Sequence, residues 1–212
     1  MARTIQEKSI DRLFALYVID RCRAKHGITN VSETKMHKLI FYAQKRLIDC
    51  RCKAMNYGFI KLLFPTFSNE LRADLNELTD LGFLQGQYYK EQEKARLILE
   101  DFHQVFDNNR EIKCLVDEEV DKYAPVDTDA LVARTKRFPW RGKVIDDLKN
   151  GTPLLYPLRI TRSRCILNIS EEDLEDLSIC LSPVVAAKME ESAQELRRGT
   201  RLTHAEVFRE IC

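Results

Sequence analysis

Glycine and proline are scarce in this chain, 7 and 6 among 212 residues. That shortage argues against a turn-dense all-β architecture and leaves Leu, Ala, Glu, Lys and Arg to favour helix. No stretch approaches the roughly 18 consecutive apolar residues that a membrane helix needs. The opening segment "MARTIQEKSIDR" is too charged for a secretory signal. Seven cysteines, an odd number at irregular spacings, fit reduced thiols better than a disulfide framework. A cytoplasmic location is the expectation. Strong net charge is missing too, at +1, yet 44% of residues are hydrophobic, enough for a sizeable core.

The near-neutral total conceals segregation. Residues 1–61 hold 13 Lys+Arg against 5 Asp+Glu, and residues 62–125 hold 7 against 14. Residues 126–169 return to 9 against 4, and residues 170–212 to 5 against 10. Such blocks can attract one another within a fold or offer charged patches to a partner.

Apolar spacing predicts the elements. Ile10, Leu13, Phe14, Tyr17 and Val18 form one stripe of a first helix that Gly27 stops. Ser32 caps a second, with Met36, Leu39, Ile40, Ala43, Leu47 and Ile48 facing inward. "YGFIKLLF" reads as a strand or packed loop ended by Pro65, and Ser68 caps a third helix carrying Leu71, Leu75, Leu78 and Leu81. After Gly82, "FLQGQYYKEQEKARLILE" reads as two strands around a polar turn, and one long helix is expected from about 101 to 123. Asp127 caps a short helix; "PLLYPLRI" and "CILNI" read as short strands. Ser170, then Ser182 with Pro183, open two further helices, and Thr203 with Glu206 make a capping box before "VFREI". The expected class is mainly α (α+β): a helical domain over 1–169 with a winged-helix-like core and a small antiparallel β wing, plus a helical C-terminal extension over 170–212.

A strand, a tight loop, a capped helix and a hairpin outline a DNA reader, but the third helix has the wrong charge for one. Its expected outward positions, Glu70, Arg72, Asp74, Asn76, Glu77 and Asp80, carry four acids and one base. Counterion release drives DNA binding, and this helix would oppose it. The basic residues Arg21, Arg23, Lys25, Lys38, Lys45 and Arg46 of the first two helices, with Tyr42 among them, are the candidate nucleic-acid patch. Solvated basic faces on two amphipathic helices are the blander reading.

Three pieces in order, "KMHKLIFYAQKRLI", "YGFIKLLFPTFSNELRADLNELTDLGFL" and "LVARTKRFPWRGKVIDDLKNGTPLLYP", resemble the Panacea domain of SocA-like antitoxins from bacteria and phages. They cover most of residues 5–160. Phe59 and Ile60 stand near where that family has Gly-Pro, and Lys136 stands where it has His, so no role of that His carries over. The tail "ESAQELRRGTRLTHAEVFREI" is similar to the ends of several small antitoxins. The resemblance implies a non-enzymatic protein that neutralises a cognate toxin by direct binding, in some members delivering it to a protease.

No nucleotide, hydrolase or zinc-protease motif is present. Cys22 and His26 at i, i+4, joined by Cys50 and Cys52, are the metal candidate, but "CRC" lacks CxxC spacing and Cys22 fits the apolar stripe as core. No metal or cofactor is therefore expected. His37, His103 and His204 fit solvated or core roles, and the acids Glu171, Glu172, Asp173, Glu175 and Asp176 fit a solvated helix start. The sole tryptophan, Trp140, sits beside Arg141, a composition common at binding hot spots, although a lone Trp is more often a core plug. The expected toxin contacts are Phe138, Trp140 and Arg141 in the loop, with Val185, Met189, Leu196, Val207, Phe208 and Ile211 in the tail. The alternative is a winged-helix transcriptional regulator that binds DNA through the basic helices; a homodimer suits either.

Overall fold

The computed structural model describes residues 3–63 and 65–197. Helix α1 (Ile5–His26) runs through its centre. Thr4 and Glu7 form a capping box at its start, and Gly27, at φ 66°, takes the left-handed C-cap. The helix is buried well beyond its expected stripe: Asp11, Arg12, Ala15, Leu16 and Ile19 are inside as well. A helix buried on all sides must find partners for its polar residues, and α1 does so across the chain.

Helix α2 (Glu33–Asp49), capped by Ser32, buries its expected apolar face and several polar residues besides. Gln44 brackets Tyr57, donating from Nε2 to its carbonyl (2.6 Å) and accepting from its N–H at Oε1 (3.1 Å). Lys38, expected on the solvent face, is 1% exposed, and its Nζ donates to the Thr66 carbonyl at 3.1 Å. His37 accepts from the Ser68 N–H at Nδ1 (3.2 Å) and stacks on Phe67. The polar face of α2 thus shapes the segment entering α3 (Asn69–Asp80), whose N-cap is Ser68.

Asp74 of α3 is a second reversal. Expected outward, it is 1% exposed and lies 2.6 Å from Arg3 Nη1 and 3.2 Å from Arg12 Nε. Arg12 also pairs with Glu77 and donates to the Leu181 carbonyl. Asp11 accepts from Arg3 (2.8 Å) and from the Asn56 N–H (2.7 Å). One charge network therefore joins the N-terminal segment, α1, α3 and the Asn56 turn to the chain beyond residue 180.

Strands β1 (Val31–Ser32), β4 (Leu84–Gln85) and β5 (Tyr88–Glu91) form a three-stranded antiparallel sheet in the order β1-β5-β4. The expected second strand is overturned beyond Glu91. "EKARLILE" belongs to α4 (Glu93–Asp101), where Ala95 and Ile98 are buried at helical spacing. The single helix expected from about 101 to 123 also fails: a break at Phe102 separates its start, in α4, from α5 (His103–Asn108), and a second at Asn109 separates α5 from α6 (Arg110–Tyr123). At the second break the Asn109 side chain donates to the carbonyls of Val105 (2.7 Å) and Asn168 (2.6 Å) and accepts from the Asn168 N–H (2.7 Å). A side chain that substitutes for the backbone in this way ends the helix and anchors a distant strand.

Helix α7 (Thr128–Lys136), capped by Asp127, leads to the hairpin of β6 (Pro139–Trp140) and β7 (Lys143–Val144). Two short strands then return to the body. Strand β3 (Phe59–Ile60) pairs antiparallel with β8 (Pro153–Leu155), and β2 (Cys52–Lys53) pairs parallel with β9 (Cys165–Ile166). Helices α8 (Glu171–Cys180) and α9 (Pro183–Arg197) follow. The molecule is mainly helical with small β elements, in the α+β class that the sequence implies.

Helix α8 packs on α1 and puts Leu177 and Leu181, both fully buried, into the common core. Leu177→Ala is expected to lower the stability of the whole chain by about 2–5 kcal/mol in one cooperative transition. Urea unfolding followed by circular dichroism checks this. A separate early transition, with the main one unmoved, would make 170 onward an independent appendage.

Candidate partner-binding surface

The β6–β7 turn holds two of the three loop residues singled out above. Arg141 (φ 49°) and Gly142 (φ 81°) both lie in the left-handed region, as a two-residue type I′ turn requires. Glycine meets that demand without strain; arginine does not. Arg141 is exposed at the tip, with its guanidinium 5.9 Å from the Trp140 ring centroid. Trp140 is half-buried against the core, and its indole N–H is buried with no acceptor among the described residues. A donor left in that state is suited to an incoming carbonyl or carboxylate.

Phe138 sits lower, in an aromatic cluster with Phe41 and Tyr42. It also lines an open groove of about 610 Å³ with Lys122, Tyr123, Arg134, Arg137 and Pro139. Lys122 and Arg134 lie 5.0 and 5.6 Å from the Tyr123 ring centroid, and Lys45 lies 5.4 Å from that of Phe138. Lys122, Arg134 and Arg137 form no ion pair among the described residues, whereas Lys136 reaches Asp146 at 4.0 Å. Cations flanking aromatic faces make a surface for acidic or π-rich partners. Periodicity alone missed it, because the cations come from three helices, α2, α6 and α7, and the aromatics from three separate segments.

The basic patch expected on the first two helices is largely spent inside the chain. Arg21 pairs with Asp117 (3.4 Å) and bidentately with Asp121, and Arg23 pairs with Glu91 (2.6 Å) and with Asp20. Lys45 reaches Asp49 (2.5 Å), Arg46 reaches Glu118 (3.4 Å), and Lys38 is interior. Lys25 is exposed. Half of these acidic partners, Asp117, Glu118 and Asp121, come from α6, so Arg21 of α1 and Arg46 of α2 are neutralised by the acidic block read in the sequence.

Of the tail residues, Val185 is half-buried near the start of α9, while the side chains of Met189 and Leu196 and all of Val207, Phe208 and Ile211 lie outside the described residues. Ile179 and Val184 are exposed at the junction of α8 and α9. The acids Glu171, Glu172, Asp173, Glu175 and Asp176 are all exposed around a helix start capped by Ser170.

The candidate metal set of Cys22, His26, Cys50 and Cys52 does not assemble. Cys22 is core, and burial pushes its thiol up to about 12. His26 bonds to Asp121 at 3.1 Å, and Cys50 caps α2. Cys52 instead meets Cys165, its register partner across β2 and β9, and Glu111 of α6. His103 contacts the Glu100 carbonyl, His37 is interior, and His204 lies outside the described residues. No protein-family model matches this chain, and neither the curated proteins nor the solved structures contain a match to it.

Proposed function

We propose that this chain is a binding protein of antitoxin type, which neutralises a cognate toxin by holding it through the groove at Phe138 and the neighbouring β6–β7 turn. The observation that carries the reading is that turn: a strained arginine at its tip, and a buried indole N–H without an acceptor, beside a cationic aromatic groove. Strain of this kind persists where the surrounding structure over-determines it, and such sites tend to be functional. An acidic segment of the toxin is the ligand that fits, with an apolar or aromatic residue over Tyr123 and Phe138. The apolar Ile179 and Val184 at the α8–α9 junction extend the surface that occludes the toxin.

Expressing adjacent genes alone and together with this chain tests the reading directly. Rescue of a toxic neighbour, with a stable complex on co-purification, is the expected result; toxicity without rescue would refute it. Within that complex, Trp140→Ala is expected to weaken binding by about 2 kcal/mol, roughly thirtyfold in Kd. Arg137→Glu is expected to weaken it mainly through the association rate, with the loss shrinking as salt rises.

A second reading, a DNA-binding regulator, draws on the same groove, since its cations and aromatic rings also suit a nucleic-acid strand. The pairing of Arg21, Arg23, Lys45 and Arg46 within the chain leaves few cations on the first two helices for a duplex backbone. Steep salt dependence of binding to DNA carrying its own promoter would favour this reading over the first.

A further inference from the structure

We propose that Cys52, Cys165 and Glu111 form a binding site for a thiophilic divalent cation, with Zn²⁺ as the best-fitting ion. The two Sγ atoms and a Glu111 carboxylate oxygen all lie within 4.8 Å of one another. They come from three elements widely separated in sequence, β2, β9 and α6. Two soft thiolates with one hard oxygen suit a d¹⁰ ion that accepts mixed donors and tetrahedral geometry. Calcium and magnesium, which want oxygen alone, are excluded by the same set.

A cation already occupies part of this corner. The Arg164 guanidinium is ion-paired with Glu111, and the same Nη2 lies 3.9 Å from Cys52 Sγ and 3.5 Å from the Cys50 carbonyl oxygen. The site therefore attracts positive charge in the protein as it stands. On binding, each thiol releases its proton to water, and two thiolates plus the carboxylate replace up to three water ligands on the ion. Water retains the fourth position. The loaded site carries one net negative charge, which Arg164, released from Glu111, is placed to offset.

The consequence is mechanical. The segment from 157 to 169 holds to the body through a two-residue ladder, the Asn109–Asn168 bonds, Arg164, and Leu167 and Ile169 packed against the core. A metal ion would clamp that strand to α6 and to the end of α2, fixing the connection between the groove-bearing half and α8.

The test uses the full chain, reduced and freed of metal by chelation. One equivalent of Co²⁺ is expected to give thiolate-to-metal charge-transfer absorption in the near ultraviolet, which Zn²⁺ bleaches at one equivalent. Zn²⁺ affinity, read by competition with a chromophoric chelator, is expected to fall about a hundredfold or more in C52S and C165S and about tenfold in E111Q. C114S, an exposed cysteine on the same helix, is expected to leave it unchanged. Because Cys52 is buried, X-ray absorption of the unaltered chain with Zn²⁺ provides a reading that needs no variant: two sulfur neighbours at about 2.3 Å, with oxygen completing the shell. Absence of charge transfer, its persistence in the C52S/C165S double variant, or an all-oxygen or histidine-containing shell would each overturn the proposal.

Discussion

Asp74→Ala is expected to destabilise this protein by about 3–5 kcal/mol, the largest loss of any single polar substitution considered. The carboxylate is shared by Arg3 and Arg12, whose side chains are 8% and 4% exposed. Removing it takes a buried acceptor from two interior guanidinium groups, leaving Arg3 to Asp11 and Arg12 to Glu77 and the Leu181 carbonyl, and the cost is that of desolvated charge short of its hydrogen bonds rather than the worth of one contact. Glu77, the other carboxylate on Arg12, is more than a third exposed, so Glu77→Ala is expected to cost under about 1 kcal/mol. Urea unfolding of both variants at neutral pH makes the comparison. Equal, small losses would mean that Arg3 and Arg12 reach solvent and that the network is not a clamp. The clamp also bears on binding, because Arg12 donates to Leu181 and so helps to seat the α8–α9 junction against α1.

Lys38 governs the second large effect, a rise in stability with pH. Its amine is interior, donates to the Thr66 carbonyl and has no carboxylate partner among the described residues, and burial pushes it from 10.5 down to about 7. Between those values the unfolded chain binds more protons than the folded one, so unfolding becomes harder as pH rises through that window. The full extent is on the order of 5 kcal/mol. Lys38→Met is expected to remove this slope and to be more stable than the natural chain near pH 7, where the charged form is still costly to bury. His37 acts in the same direction at lower pH, being held down to about 3 chiefly by burial and then by Lys38 and Arg72. Above about pH 9 Cys22 opposes the trend, since its thiol stays protonated in the fold after the unfolded thiol has ionised. Denaturation midpoints of both chains from pH 6.5 to 9 are the measurement. Parallel slopes would show that Lys38 keeps its charge in the fold.

Both effects depend on residues that look like ordinary surface charges in the sequence. Lys38 lies in a helix rich in Lys and Arg, and Asp74 lies among Glu70, Glu77 and Asp80. Burial of an isolated charge leaves no local signature, because the partners that permit it sit far off: Thr66 for Lys38, Arg3 and Arg12 for Asp74. The candidate groove has the same character. Phe138, Trp140 and Arg141 were legible from composition, yet Lys122, Arg134 and Arg137 join them only once α6, α7 and the hairpin are packed.

Local chemistry did settle a good deal. The caps at Ser32, Ser68, Asp127, Ser170 and Ser182, the stop at Gly27, and the apolar stripes of α2, α3 and α6 rest on interactions spanning two to four residues. Short-range energetics of that kind are written in the order of residues, and so is the mainly helical class. Where the long helix breaks, which strand joins Cys52, and which charges vanish into the core were decided by tertiary structure. Asn109 ends a helix because Asn168 arrives beside it, and Cys52 finds Cys165 because β9 returns in parallel register. Those outcomes depend on contacts between segments some 30 to 170 residues apart, whose closure no local pattern encodes.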